Sequence, residues 1–329
     1  MRGICTLAND RVYDQVVALL NSIETHAPGT PVCIFPYNDK MDRICAEGDR
    51  RDTVQIYSNQ DSISAWDEFV RAAWDAHPTA KERWKRAGST GYHRVGTHRR
   101  FCAFDGPFDQ FLYMDADTLL LNSLNVVWDT LANADCVVYD FQFKQPQHVY
   151  DTTAPSLTQR LPNGYLDTGI FCSGFYGSHR GLFSPQKRAL ILEHLQAGDA
   201  EILYPMAPDQ TLLNYMVMRC GLSFTNLSLS LPKQQVTGNS VTSSHFEYRG
   251  NALYDNGVQL LYLHYIGLSS RIFARLDAGE NIDFPYRNLF LHYRYLHAPE
   301  TRPNLSGRSR PYNQSPSVMR RALSKLGIT

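Results

Sequence analysis

Apolar residues recur along this chain in two alternating spacings. Gly3 to Ala8 makes an apolar run of strand length, and Val12, Val16, Leu19, Leu20 and Ile23 follow at helical intervals. That order predicts a buried strand and then an amphipathic helix. Asn9 and Asp10 stand where a helix cap is expected, and Pro28 and Gly29 end the periodic stretch. Apolar runs return at Pro31 to Pro36 and at Val54 to Tyr57. Strand, helix, strand with short links is a βαβ unit, so the pattern predicts an α/β fold with a parallel sheet and right-handed crossovers.

The run that organises the rest is Phe111 to Leu121, a buried strand interrupted by Asp115 and Asp117. In extended chain, residues two apart point to the same side, so both carboxylates can face one site. Two such oxygens at a strand end suit a hard divalent cation, which can bridge the oxygens of a diphosphate. The plain alternative is that the pair only caps the strand. Charges directly abutting apolar flanks are costly unless something uses them, which favours the cation.

Elsewhere the pattern predicts a helix and a loop from Ser62 to Gly96. It predicts a helix over Leu124 to Ala132, a strand over Cys136 to Tyr139, a polar surface excursion over 142–164, and helices from Pro185 and Pro208. Tyr165 to Tyr176 reads as a strand containing Asp167, Gly169 and Gly174, and glycine within a strand marks either a bulge or the close approach of another group. Asp209 falls at the start of the last of those helices, where capping alone would explain it. His264 follows the apolar run Leu260 to Leu263 and precedes Gly267; a lone histidine there is more often structural than a ligand.

Composition removes several classes. Lys and Arg number 32, as do Asp and Glu, so no global field recruits nucleic acid. No Gly-x-Gly-x-x-Gly follows the first strand, which argues against a dinucleotide dehydrogenase. The seven cysteines are scattered without a Cys-x-x-Cys pair, the pattern of reduced thiols in the cytoplasm. The N-terminus runs straight into a strand, with no signal-peptide pattern. From Phe284 the chain turns to Tyr, Phe, His and Arg with Glu300 its only acid. The expected division is therefore a catalytic domain over 1–283 and an aromatic, basic extension over 284–329. In Ser317 to Gly327, Val318, Met319, Ala322, Leu323 and Leu326 share a helical face, with Arg320, Arg321 and Lys325 toward the other. Such a helix either packs on its own domain, the favoured reading, or makes peripheral contact with an anionic membrane.

Taken together and in this order, these segments resemble the family-8 retaining glycosyltransferases, the family of glycogenin and the bacterial lipopolysaccharide galactosyltransferases. Thr6, Leu7 and Ala8 with Tyr13 are similar to the opening segment that holds the uracil of a UDP-sugar. Arg99 stands where the family carries a basic residue, and Asp115-Ala116-Asp117-Thr118 is similar to its Asp-x-Asp metal motif. Asp167-Thr168-Gly169 takes the place of a sugar-binding Asn-Ser-Gly or Asn-Ala-Gly, so Asp167 is a departure. Asp209 and Gln210, with Leu213 and Asn214, match a helix start that faces the transferred sugar. His264 to Gly267 resembles the third metal ligand and its diphosphate-binding turn. Ser270 stands where the family has a lysine, with Arg271 next to it as a substitute of different geometry.

The resemblance implies the nucleotide-diphosphosugar transferase (GT-A) fold, a mostly parallel sheet flanked by helices, with ligands at the carboxyl ends of the strands. It implies a metal-dependent transferase moving a hexose from a UDP-sugar to a glycan, lipid, protein or small-molecule acceptor, with retention of configuration. Asp115, Asp117 and His264 would hold the cation, and an imidazole ligand favours Mn²⁺ over Mg²⁺. Arg99 or Arg271 would help at the diphosphate, and Asp209 and Gln210 would steady the sugar. Two other readings stand beside it. A sugar nucleotidyltransferase would need a Gly-rich basic loop after the first strand, and Thr6 to Asp10 lacks one. A non-catalytic nucleotide-sugar or glycan-binding protein would have no need of the intact Asp115, Asp117 and His264.

Overall fold

The first strand, β1 (Arg2–Ala8), passes through Asn9, whose side chain accepts from the Arg11 amide, into α1 (Tyr13–His26). β2 (Val32–Pro36), α2 (Asp42–Gly48) and β3 (Val54–Ile56) follow. In this computed structural model, which describes residues 1–313, β1, β2 and β3 pair in parallel, as the βαβ pattern requires. The helix expected over Ser317 to Gly327 lies outside the described residues.

Two helices, α3 (Gln60–Asp75) and α4 (Ala80–Arg86), lead to a 3₁₀ stretch, Val95–Asp105. β4 (Gln110–Met114) then enters the sheet parallel to β1. β5 (Thr118–Leu120), α5 (Asn125–Leu131) and β6 (Cys136–Val138) come next. The polar excursion over 142–164 holds short turns, among them α6 (Leu157–Arg160); α7 (Tyr165–Thr168) and β7 (Phe175–His179) follow it. The strand expected over Tyr165 to Tyr176 is therefore a helical turn followed by an irregular approach, and pairing starts only at Phe175. Gly164, at φ 73°, starts α7, and Tyr165 packs its ring over Gly169, where a Cβ would lie 2.3 Å from it.

α8 (Pro185–Gln196), α9 (Pro208–Arg219), β8 (Phe224–Asn226) and α10 (Leu227–Ser230) follow. The seven-stranded sheet has the order β3-β2-β1-β4-β7-β6-β8. β7 alone runs antiparallel to its neighbours. Side chains alternate across β4, so Phe111 and Tyr113 face one apolar layer with Trp66, Phe101 and Leu212, while Leu112 and Met114 face the other with Leu19 and Val127. Burying both faces is what a parallel sheet demands.

A meander of β9 (Glu247–Arg249), β10 (Ala252–Asp255) and β11 (Val258–Gln259) leads to β12 (Tyr262–His264), which pairs antiparallel with β5. α11 (Ser270–Asp277), β13 (Glu280–Asp283), α12 (Arg287–Arg294) and β14 (Ser306–Pro311) complete the described chain. Past residue 283, Phe284, Leu289, Phe290 and Tyr293 are buried in one cluster with Ala18, Leu263 and Phe273. Asn21 of α1 donates to the Tyr293 carbonyl at 2.7 Å. No helix of the described residues is long and apolar enough to cross a membrane.

Candidate functional site

Backbone pairing assembles the acidic centre. β4 ends at Met114, and the next amide, that of Asp115, donates to the Gly174 carbonyl at 2.8 Å, just before β7 begins. β5 and β12 pair with His264 opposite Thr118, and the Tyr265 amide donates to the Asp117 carbonyl at 2.8 Å. One register thus brings His264, distant in sequence, beside the two aspartates. Gly174 is required by this crowding: a Cβ there would lie 2.6 Å from His264 Cε1 and 2.9 Å from Asp115 Oδ2.

One ligand atom each from Asp115, Asp117 and His264 lies within 4.8 Å of the others, a spread that bonds of about 2.0–2.6 Å to one ion can bridge. His264 Nε2 is 3.2 Å from Asp117 Oδ1 and 4.0 Å from Asp115 Oδ2. Electrostatics fits the same group. Burial raises the Asp115 carboxyl above its ordinary range, Asp117 and Asp209 add to the rise, and Arg100 opposes it. Burial would raise Asp117 as well, but His264 outweighs it and holds the group low. His264 is raised in turn, the pull of Asp117 and Asp115 exceeding the burial that disfavours its charge. Two buried carboxylates held this close together, one raised and one lowered, are a setting that a divalent cation stabilises.

A second half lies against the first. Arg100, 3% exposed, comes from the 3₁₀ stretch, with its Nη2 3.1 Å from Asp115 Oδ1 and 3.1 Å from Asp209 Oδ2. Asp209 also accepts from Thr97 Oγ1 at 2.9 Å and Ser173 Oγ at 3.2 Å. Burial alone would raise Asp209, but Arg100, His98 and Arg94 overcome it and hold the carboxyl far below the usual range. Asp209 therefore caps nothing. α9 begins with Pro208 and has no side-chain cap, and the carboxylate points sideways into a charge network. Gln210 spends both ends of its amide, accepting from the Ser173 amide at 3.2 Å and donating to the His148 carbonyl at 3.1 Å. Asn214, one turn on, fixes the same segment through the Phe171 amide and carbonyl.

Other expected residues fall elsewhere. Thr6, Leu7 and Ala8 are buried within β1, and the Ala8 carbonyl accepts from the Tyr37 amide. Tyr13 does not join the acidic centre: Arg43 lies 3.9 Å over its ring and Glu47 Oε2 is 3.3 Å from its hydroxyl. It lines a groove of about 970 Å³ between α1, α2 and α12. Arg99 is spent on Asp67, 3.0 Å away, and on the Pro36 carbonyl. Its neighbour Arg100 is the arginine of the site, because the tight 3₁₀ winding sends successive side chains in different directions. Ala116, between the aspartates, is buried in the core. Asp167 is exposed on α7, and Gly169 of the same motif serves the packing of Tyr165. Gly267 adopts φ 82° in the exposed turn after β12, and Arg271 is exposed at the start of α11.

Sequence reasoning passed over Asp140, at the end of β6. Burial pushes it up to about 7 although the Gln142 and Cys172 amides donate to it at 2.7 and 3.2 Å. It also passed over Thr97 and Ser173. Ordinary polar residues in unpaired segments carry no spacing signal. Arg100 does stand out in the sequence, as half of the basic pair Arg99-Arg100 just upstream of the acidic strand, where phosphate pairing competes with simple solvation; the structure pairs it with Asp115 and Asp209.

No family model and no curated sequence matches this chain. Among solved structures, the apo form of the bifunctional glycosyltransferase WbbM superposes with a TM-score of 0.54 at 13% identity. It covers 92% of this chain, which in turn spans only 51% of the WbbM chain. The galactosyltransferase LgtC, in complex with donor and acceptor sugar analogues, gives 0.47 at 15% identity, covering 81% of this chain and 87% of its own. Mouse xyloside xylosyltransferase 1 in its apo form gives 0.47 at 12%, covering 69% and 86%. The chain has the GT-A glycosyltransferase fold, a mainly parallel sheet flanked by helices with its acidic centre at the strand ends.

Proposed function

We propose that this chain is a metal-dependent glycosyltransferase of the family-8 type, moving a hexose from a UDP-sugar to a hydroxyl-bearing acceptor with retention of configuration. The observation that carries the reading is the meeting of Asp115, Asp117 and His264 at the end of β4, with an ionised Asp209 held against Asp115 by a single arginine. Asp115, Asp117 and His264 would hold Mn²⁺, or Mg²⁺ in its place, which when bound supplies a Lewis acid for the diphosphate leaving group.

The chain's own residues account for the rest. As the sugar–phosphate bond lengthens, positive charge grows on the anomeric carbon, and the Asp209 carboxylate is fixed where it opposes that charge at no reorganisation cost. Gln210 anchors the Ser173 amide and the His148 carbonyl, setting the wall on which the sugar rests. Retention is assigned to attack by the acceptor from the leaving-group side, since Asp209, the carboxylate proposed to face the sugar, is itself held by Arg100, Thr97 and Ser173. The end of β1 at Thr6 to Ala8 is the proposed uracil edge, and the Gly267 turn with Arg271 the diphosphate edge.

Incubation with a panel of UDP-sugars and Mn²⁺, reading released UDP, tests the activity. Calorimetry with UDP, GDP and ADP tests the base. Release from at least one UDP-hexose and tighter binding of UDP support the proposal. A nucleotidyltransferase would form a nucleotide-sugar from a sugar phosphate instead, and a binding protein would hold the donor without turnover.

A further inference from the structure

Arg100 has no nitrogen left for a substrate. Nε donates to the Thr97 carbonyl at 3.1 Å, and Nη1 donates to the Ser173 carbonyl and hydroxyl, both at 2.8 Å. Nη2 sits between Asp115 and Asp209, 3.1 Å from an oxygen of each. The guanidinium face lies 4.8 Å from the Tyr113 ring centre, and Tyr113 in turn donates to Asp115 Oδ1 at 3.0 Å. A planar fork fills this pocket as an ammonium cannot.

The two oxygens of Asp115 are thereby divided. Oδ1 takes Arg100 and Tyr113, while Oδ2 faces His264. We propose that Arg100 is a positioning residue that joins the two halves of the site: it restricts Asp115 to one oxygen toward the cation and fixes Asp209 against the same point. This rests on the proposed cation-dependent transfer, yet it makes a claim about cation binding that holds whatever reaction the protein performs. Removing the fork frees Asp115 Oδ1 and takes a positive charge from beside the cation pocket, so the cation should bind more tightly while Asp209 loses its alignment. A merely structural role would do the reverse, loosening the pocket and weakening the cation.

The test is Mn²⁺ affinity by electron paramagnetic resonance, with UDP affinity and turnover beside it, for Arg100→Met and Arg100→Lys. Arg100→Met should bind Mn²⁺ at least about tenfold more tightly, since a like charge so close is weakly screened, while kcat falls at least about a hundredfold and UDP affinity stays within threefold. Unchanged or weaker Mn²⁺ binding in folded protein overturns the proposal without touching the assigned reaction. Arg100→Lys keeps the buried charge and serves if the Met variant does not fold. Lysine reaches one carboxylate but not both, so Mn²⁺ affinity should stay within threefold and kcat should fall at least about thirtyfold. Wild-type turnover in the Lys variant, or a loss of UDP affinity matching the loss of kcat, overturns the proposal.

Discussion

The two halves of the acidic centre are built by different means. The half proposed to hold a cation is made by backbone register: β4 delivers Asp115, β5 and β12 set His264 opposite Thr118, and the Tyr265 amide ties the Asp117 carbonyl. The Asp209 half has no strand pairing behind it and depends on the side chains of Thr97 and Arg100 from the 3₁₀ stretch and of Ser173 from the approach to β7 converging on Asp209. Ladder hydrogen bonds hold a site against most single substitutions, whereas a buried charge network loses its alignment with one. The cation half should therefore fail only when a ligand or its clearance is lost, and the other half when any member is lost.

The largest expected effect is at a ligand. Asp117→Ala removes the carboxylate nearest His264, and Mn²⁺ affinity by calorimetry should fall at least about a hundredfold with little change in the melting temperature, because the register that shapes the loop remains. A variant that still binds Mn²⁺ as the wild type does would remove Asp117 from the ligand set.

Asp209→Asn comes next. Read as a helix cap, the change would leave stability nearly untouched, since asparagine caps about as well as aspartate. The structure predicts otherwise: the buried Arg100 loses one of two anionic partners, for a cost of about 1–3 kcal/mol in denaturant titration. Turnover should drop at least about thirtyfold at unchanged UDP affinity, the mark of an interaction made in the transition state. Unaltered stability and turnover together would show that the network does not matter.

Gly174→Ala should act on the cation half alone. The new Cβ meets His264 and Asp115, and Mn²⁺ affinity should weaken about tenfold, in contrast to the tightening expected at Arg100. Asp140 sharpens the comparison through pH. Its folded pKa near 7 lies above the unfolded value of about 3.9. Its contribution to stability is thus fully present below about pH 4 and lost as pH rises through 7; Asp209, held low, contributes above the unfolded value and loses that contribution in strong acid. Carboxyl carbon NMR on cation-free protein should show one aspartate titrating near 7, absent in Asp140→Asn. Smallest of all, Tyr13→Leu should change UDP affinity less than threefold, because Arg43 already lies over that ring in the groove beside α1; a large loss would support Tyr13 as part of the uracil pocket.

The same contrast explains what the sequence disclosed. The α/β pattern and the strand bearing Asp115 and Asp117 were legible because strands impose a period and a strand end is where a charge becomes visible; the same pattern read His264 as a structural histidine, and only the family resemblance pointed to it as a ligand. The Asp209 half was half-legible. By position Asp209 was explained by capping alone, and only the resemblance singled out Asp209 and Gln210; their partners Thr97, Arg100 and Ser173 lie in a 3₁₀ stretch and an unpaired approach where no period reports direction. For that reason Arg99 was the expected arginine, though it pairs with Asp67. Asp140 left no trace, since its character comes from burial and not from its neighbours in sequence.

The most direct test of the account is release of UDP from a UDP-hexose by the wild-type protein in three conditions: with Mn²⁺, with excess chelator, and with Mn²⁺ restored. The account predicts release, its loss, and its return. The same rate of release in excess chelator would contradict the claim that Asp115, Asp117 and His264 act through a bound cation.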